Sequence, residues 1–470
     1  MDKHKNKKEL IEQESSREKQ EGQNPITEGV IWKQLVFFFF PILIGIFFQQ
    51  LYNMVDTIIV GRFVGKEALS SVGGSSGQIV NLVVGFFTGI STGASVIVAQ
   101  YFGARDRKNL QEALQTSYTF ALISGVFLGI FGVLFAPKLL SIMKTPDVLM
   151  ADSTAYIQIY FAGIIFVLIY NFGSAILRAI GDTKRPLYFL MVCCAVNIVL
   201  DLLFVVQFHM GVRGVAIATL ISQAISAVLV TLVLIFKTPE MPLQIKKLHM
   251  NQNILSRLLL IGLPTGIQSS MFGVSNMIIQ AALNQFGVDT MAAWVAFGKI
   301  DGFFWMINNA FGMSITTFVG QNYGAGKYSR IGKAVKLSLM VSVTTALLFS
   351  TIFILNGSSL LGIFTTDSGV IQIGLRMMWT ITPAYFMFEF IEIFSGTLRA
   401  EGYVLISTIM VLTGTCLFRI IWVTVITAGK SMEAVIFCYP LTWGLCAVMF
   451  ILYYVWKQSR IMEHWKTQRE

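Results

Sequence analysis

Apolar positions along this 470-residue chain fall in long continuous runs, not in the alternating patterns of half-buried soluble elements. A helix that crosses hydrocarbon needs about 20 apolar residues, because only a helix satisfies its own backbone there. Twelve runs meet that length, at residues 36–60, 71–100, 117–135, 156–177, 187–208, 214–236, 255–286, 291–319, 334–355, 370–398, 403–428 and 434–456. The pattern predicts an all-α integral membrane protein with twelve transmembrane helices, spans 1 to 12. It divides the chain into a polar N-terminal tail (1–33), an N-lobe of spans 1–6 (34–236), a linker (237–253), a C-lobe of spans 7–12 (254–457) and a C-terminal tail (458–470).

Composition sharpens this picture. Hydrophobic residues make up 55% and charged residues 13%, against about 25% charged in a soluble protein. An ordinary cytosolic enzyme is excluded. The net charge of +10 is explained by position: 26 of the 35 Lys and Arg residues fall on the face that carries both termini and seven on the other. By the positive-inside rule both termini are cytoplasmic, the partner is the lipid bilayer of the cell membrane, and no nucleic acid is needed to account for the basic balance. The five cysteines lie within apolar runs without ligand spacing. The Gly-Ala-Gly-Lys at Gly324 lacks the pattern of a phosphate-binding loop. The expectation is therefore a non-enzyme without cofactor, driven by an ion gradient.

The chain is duplicated. Gln-Tyr-Phe-Gly-Ala at Gln100 recurs at Gln321, and Leu-Arg-Ala-Ile-Gly around Arg178 recurs around Arg399, each separated by 221 residues. Six spans per copy give both copies one orientation, hence two pseudo-symmetric bundles around a central cavity. A packing reading of the motifs has the glycines ending helices and Arg178 and Arg399 anchoring at headgroups. Gly85, Gly89 and Gly93 form a stripe suited to close helix packing.

Ionisable groups inside spans are expensive, so each is a functional candidate. Tyr52 precedes Asp56 by four residues on span 1, and Asn197 precedes Asp201 by four on span 5, so each pair shares a helix face. Two carboxyls held together suit a shared proton, or Na+ ligated by Asp56, Asp201 and Asn197 oxygens. A helix-to-helix hydrogen bond is the structural alternative for either acid. The second copy differs: Asn197 and Asp201 map onto Phe418 and Trp422, beside Arg419. Lys299, Asp301, Glu389, Glu392 and Arg419 are candidates either for substrate contact or for a buried network in which they neutralise one another. Aromatic and Met residues such as Trp305 and Met378 suit an adaptable cavity as well as lipid contact.

These residues resemble the multidrug and toxic compound extrusion (MATE) family. The resemblance rests on the twelve spans in two bundles, the proline-bearing PILIGIFFQQLYNMVDTIIVGR of span 1, the paired QYFGA and QNYGA, the paired LRAIGD and LRAEGY, and NIVLD on span 5. Within the family the chain looks like the DinF-type branch. That likeness implies a cation site at Tyr52, Asp56, Asn171, Asn197, Asp201 and Thr219, and a conformational kink at Pro41, whose missing N–H permits one. A second branch relies on an acid in span 7, where this chain offers only Gln268, Ser269 and Ser270.

The expected function is secondary active efflux of small organic, cationic, amphiphilic drugs against H+ or Na+ by alternating access, by a monomer. Ion and substrate are expected to compete for Asp56 or Asp201. The alternative is a flippase for a lipid-linked glycan, which favours a cavity rich in Arg and Lys; only Lys299 and Arg419 qualify here, which counts against it. A channel or receptor is disfavoured by the duplicated lobes.

Overall fold

The computed structural model describes residues 24–239, 241–427 and 431–467, with side chains to Lys457. Twelve helical rods follow one another. They are α1 (Ile31–Val64), α2 (Lys66–Gly103), α3 (Arg107–Ile142), α4 (Asp147–Ala162 and Ile164–Ala179), α5 (Lys184–Gln207) and α6 (Gly211–Phe236) in the first half. The second half holds α7 (Gln252–Asn284), α8 (Val288–Gly324), α9 (Tyr328–Gly362), α10 (Ser368–Ile381 and Tyr385–Ala400), α11 (Val404–Ile426) and α12 (Met432–Lys457). Among the described residues, nine rods are long and apolar enough to cross a membrane, and α4, bent by 48° at Gly163, makes a tenth. The two that fall short, α8 and α10, carry Lys299, Asp301, Glu389 and Glu392. Each predicted run has its own rod; most rods extend past their runs because helices continue beyond the hydrocarbon with polar ends, while α5 and α11 stop just short at their C-terminal ends.

The last part of the stretch expected as tail is helical. Asn24 caps a helical turn, Pro25–Glu28, with its side-chain oxygen, and α1 begins at Ile31. Residues 1–23 lie outside the described residues. At the other end α12 continues as helix to Thr467, where a tail was expected from residue 458. The linker is strapped to α3: Gln111 donates to the Pro242 carbonyl at 2.8 Å, and His249 pairs with Glu112 at 2.8 Å. The Lys247 carbonyl and then Glu112 raise the His249 imidazole above its usual value. The sign follows: this contribution is complete below the ordinary histidine range and is lost as pH climbs through the raised value.

Buried side chains form two cores. One draws on residues 59–261 with Val404, and the other on the second half together with Ile26, Phe38 and Ile42. α1 thus belongs to both: its inner part, where Phe39 stacks on Phe311 at 4.4 Å, packs with the second half, and its outer part packs with the first.

The halves meet along a seam of glycines. A Cβ on Gly89 of α2 would lie 2.5 Å from the Gly266 Cα of α7, and one on Gly93 would lie 2.5 Å from the Leu258 carbonyl oxygen. Small residues let the backbones touch, which is how helices associate where lipid removes the hydrophobic drive. Gly85, expected in the same stripe, has nothing within 4 Å and takes no part.

Beyond the seam, the face bearing the basic loops is shut by the duplicated motifs. Gln100 at the end of α2 donates to the Ala400 carbonyl ending the helical part of α10, at 2.7 Å. Its image Gln321 on α8 donates to the Ala179 carbonyl ending α4, at 2.6 Å. Each glutamine therefore caps an orphan carbonyl in the opposite half. Gly103 and Gly324 make the crossing possible: a Cβ on either would fall 2.0 or 1.9 Å from the carbonyl oxygen of Gln321 or Gln100. Gly181 and Gly402, at φ 106° and 93°, follow helix ends as the packing reading requires, and Gly103 and Gly324, the last residues of α2 and α8, are sites of close approach as well. The leading turn spans the closure, with Asn24 donating to Gln321 and Glu28 reaching Arg105 at 3.1 Å and Lys327 at 3.8 Å.

Two outcomes follow. Gly89→Leu overpacks backbone against backbone and should cost about 1–3 kcal/mol or more, seen as a lower thermal midpoint of the purified protein, while Gly85→Leu should leave the midpoint unchanged. Gln100→Ala with Gln321→Ala removes the two crossing bonds and the two that Arg257 and Asn24 donate to these side chains, at about 1 kcal/mol or more each. With spin labels at Lys108→Cys and Lys333→Cys, the pair should add a longer-distance population that the parent lacks. An unaltered distance distribution means that other contacts hold this face shut.

Candidate cation site and central cavity

The first polar cluster lies inside the first half. Tyr52 and Asp56 come from α1, Asn197 and Asp201 from α5, and Thr219 from α6. The structure brings them together: the Asp56 side chain interacts with those of Asp201 and Asn197, and Tyr52 with Asp56 and Thr219. Asn197 and Asp201 are 0% exposed and Thr219 is 3% exposed, while Asp56 is half-buried with its Oδ1 sealed. Six buried atoms lack a hydrogen-bond partner: Asp56 Oδ1, both Asp201 oxygens, Asn197 Oδ1 and Nδ2, and Thr219 Oγ1. Each orphan costs about 1–3 kcal/mol, and a carboxylate costs more. Such a set of oxygens is suited to a shared proton or to a hard cation.

Local backbone helps to position the acids. A π-helical stretch, Leu202–Gln207, starts directly after Asp201, and another, Val60–Val64, starts one turn after Asp56. Such wide turns interrupt the regular ladder and recur at functional sites. Sequence reasoning did not select Tyr156 and Tyr160 of α4, which stand within electrostatic reach of Tyr52, Tyr156 also reaching Asp56 and Asp201. Their i,i+4 spacing inside an apolar run was the available signal. Asn171 is half-buried on α4 and makes no hydrogen bond to either carboxyl, and α1 passes through Pro41 as one helix, Ile31–Ile59.

The second place is a cavity of about 670 Å3 between the halves, lined by α2, α4, α7, α8, α10, α11 and α12. That is the size of a drug-sized pocket. Asp301 lines it, accepting a bond from Trp305 Nε1 at 2.6 Å and a short one from the Tyr385 hydroxyl. Glu392 faces Arg399 across 3.6 Å, over Gly312, where a Cβ would collide with its carboxylate. Gln268 points in from α7 with its Oε1 unpaired. Trp305 and Trp443 stand edge to face at 5.9 Å along the wall.

The mutually neutralising network of Lys299, Asp301, Glu389, Glu392 and Arg419 is corrected here. Lys299 is exposed and does not line the cavity, because two residues along a helix from Asp301 it points away. Glu389, 1% exposed, does not line the cavity, and its Oε2 has no partner. The partners of Asp301 are hydroxyl and indole groups, and Glu392 pairs with Arg399, which sequence reasoning had placed at the headgroups. Arg178 and Arg399 both line the cavity. Tyr52, Asp56, Asn197, Asp201 and Thr219 do not line the wall of this cavity.

Known proteins match this architecture. The MatE family model fits residues 41–203 and again 264–425, reproducing the duplication. The chain is 27% identical over 444 residues to the probable multidrug resistance protein YoeA of Bacillus subtilis, covering 92% of this chain and 95% of that protein. It is 28% identical over 379 residues to the probable multidrug resistance protein YpnP of the same organism, covering 81% and 84%. A crystal structure of MATE in complex with MaL6 superimposes with a TM-score of 0.88 at 20% identity, covering 94% of this chain and 99% of that one. With both halves matched by one family model, the chain belongs to the MatE family, the multidrug and toxic compound extrusion transporters, multi-pass proteins of the cell membrane.

Proposed function

We propose that the chain exports amphiphilic organic compounds in antiport against H+ or Na+, with the ion taken up at Asp56 and Asp201 and the substrate held in the central cavity. The observation that carries this reading is the group of buried, partnerless oxygens in the first half, set apart from the cavity. Its relatives are named as multidrug resistance proteins, which supports drug-like substrates. The residues of the cluster agree with a DinF-type cation site, to which Asn171 would add a ligand. The basic, closed face is the cytoplasmic one, so the described conformation is one end state of alternating access by a monomer, with no prosthetic group involved.

Since ion and substrate occupy different places, coupling runs through helix movement. α1 is the connecting element: Asp56 sits in the outer part, Phe38 and Ile42 pack with the second half, and Pro41 lies between those two contacts. Ion uptake at Asp56 and Asp201 would pull the outer part of α1 toward α5, and the kink permitted at Pro41 would let its inner part shift against α8. Cationic groups of the substrate would face Asp301.

A second reading, export of a lipid-linked glycan, gains from Arg178, Arg399 and Arg419 in the cavity. Accumulation of a lipid-linked precursor on deletion, without drug sensitivity, would favour it.

Purified protein in liposomes, under separate pH and sodium gradients with a fluorescent dye as substrate, tests the first reading. Asp56→Asn and Asp201→Asn should each reduce gradient-driven dye transport by roughly tenfold or more, within the usual range of site-to-site coupling. Coupled transport that survives Asp201→Asn intact removes the cluster from this role.

A further inference from the structure

The cavity has a charge that nothing in it balances. Arg419 on α11 is 2% exposed and lines the cavity wall. Its Nη1 and Nη2 reach Asn276 Oδ1 and Thr442 Oγ1 only at 3.5 Å, and its Nε has no partner. The guanidinium lies over the ring of Tyr439, 4.4 Å from its centre. Among the described residues no acid forms an ion pair with it, and the two acids of the cavity are engaged elsewhere: Asp301 with Tyr385 and Trp305, Glu392 with Arg399. A guanidinium carries five donors in a planar fork matched to a carboxylate, and burying it without an anion is costly.

The duplication explains how this group came to face the cavity. Arg419 lies 221 residues after Ile198, between the counterparts of Asn197 and Asp201, so the second copy carries a base in the segment where the first carries its acids. The segment is also irregular: the short helix Phe418–Ile421 lies between π-helical stretches Leu412–Leu417 and Trp422–Ile426. Tyr439 lies beneath Arg419 and within electrostatic reach of Asp301, and Trp294 packs on its ring at 6.0 Å.

We infer that the cavity recognises zwitterionic aromatic amphiphiles, with Arg419 receiving the carboxylate of the substrate, Tyr439 and Trp294 taking its flat ring, and Asp301 facing its cationic group. This rests on the proposed export function and goes further by adding an anionic requirement to the substrate. Neutralising Arg419 converts a buried liability into a charge-assisted contact, whereas a purely cationic molecule leaves it unpaired.

The test is equilibrium binding to the full-length purified protein, followed by fluorescence anisotropy at one pH without any ion gradient. The probes are a rhodamine with a free carboxylate and its methyl ester, which share ring and cation. The free acid should bind roughly tenfold more tightly than the ester, the scale of one good charge-assisted pair. Arg419→Gln should erase the preference by weakening the acid alone, and Arg419→Lys should keep part of it. Equal or tighter binding of the ester, no saturable binding of either dye, or a preference that survives Arg419→Gln would each overturn the inference. The wild-type comparison stands even if Arg419→Gln does not fold. Asp201→Asn should leave the preference intact, so a failure of ion coupling and a failure of anion recognition are told apart.

Discussion

In hydrocarbon no water satisfies a buried polar group, and that constraint orders this whole structure. Where the chain must break its helices it supplies a partner: Gln100 and Gln321 cap the carbonyls of Ala400 and Ala179, and Asn24 in turn supports Gln321. Where helices must touch, glycine brings backbone against backbone, as at Gly89 and Gly266. Against these satisfied closures, several buried polar atoms are left without a partner, and two groups among them concentrate charge: the oxygens around Asp56 and Asp201, and the guanidinium of Arg419.

These two charged groups come from one duplicated plan that has diverged. The motifs that close the basic face remain in both copies, and each copy completes the other across the interface. The span 5 segment and its image on α11 have parted, the first holding acids among tyrosines and the second an arginine above Tyr439. A symmetric scaffold thereby carries a buried acidic cluster in one half and a cavity with both signs of charge between the halves. α1, shared by the two cores, is the element through which one can influence the other.

Long apolar runs made the rods legible, and the 221-residue repeat made the two bundles legible, because both are properties of one dimension. The pairing of Asp56 with Asp201 was legible too, since helical spacing and the cost of an intramembrane acid point to the same residues. Three features were hidden for physical reasons. Lys299 and Asp301 are neighbours in the chain, but helix geometry turns them apart, so proximity in sequence suggested a network that does not form. Arg178 and Arg399 lie near helix ends, where headgroup anchoring is the usual expectation, yet the bend of α4 and the break in α10 accompany side chains that line the cavity. The role of Gln100 and Gln321 depends on a crossing between halves that no local pattern encodes.

The proposed separation of ion and substrate sites, joined by helix movement, demands reciprocity: the ion must weaken substrate binding by the same factor as the substrate weakens ion binding. The most direct measurement is dye affinity of the purified protein, titrated against pH and sodium, for the parent chain and Asp201→Asn. The account predicts that Asp201→Asn abolishes the ion dependence while keeping the affinity of the ion-free protein. Loss of that ion-free affinity would place the carboxylate in contact with the substrate and contradict the separation of the two sites.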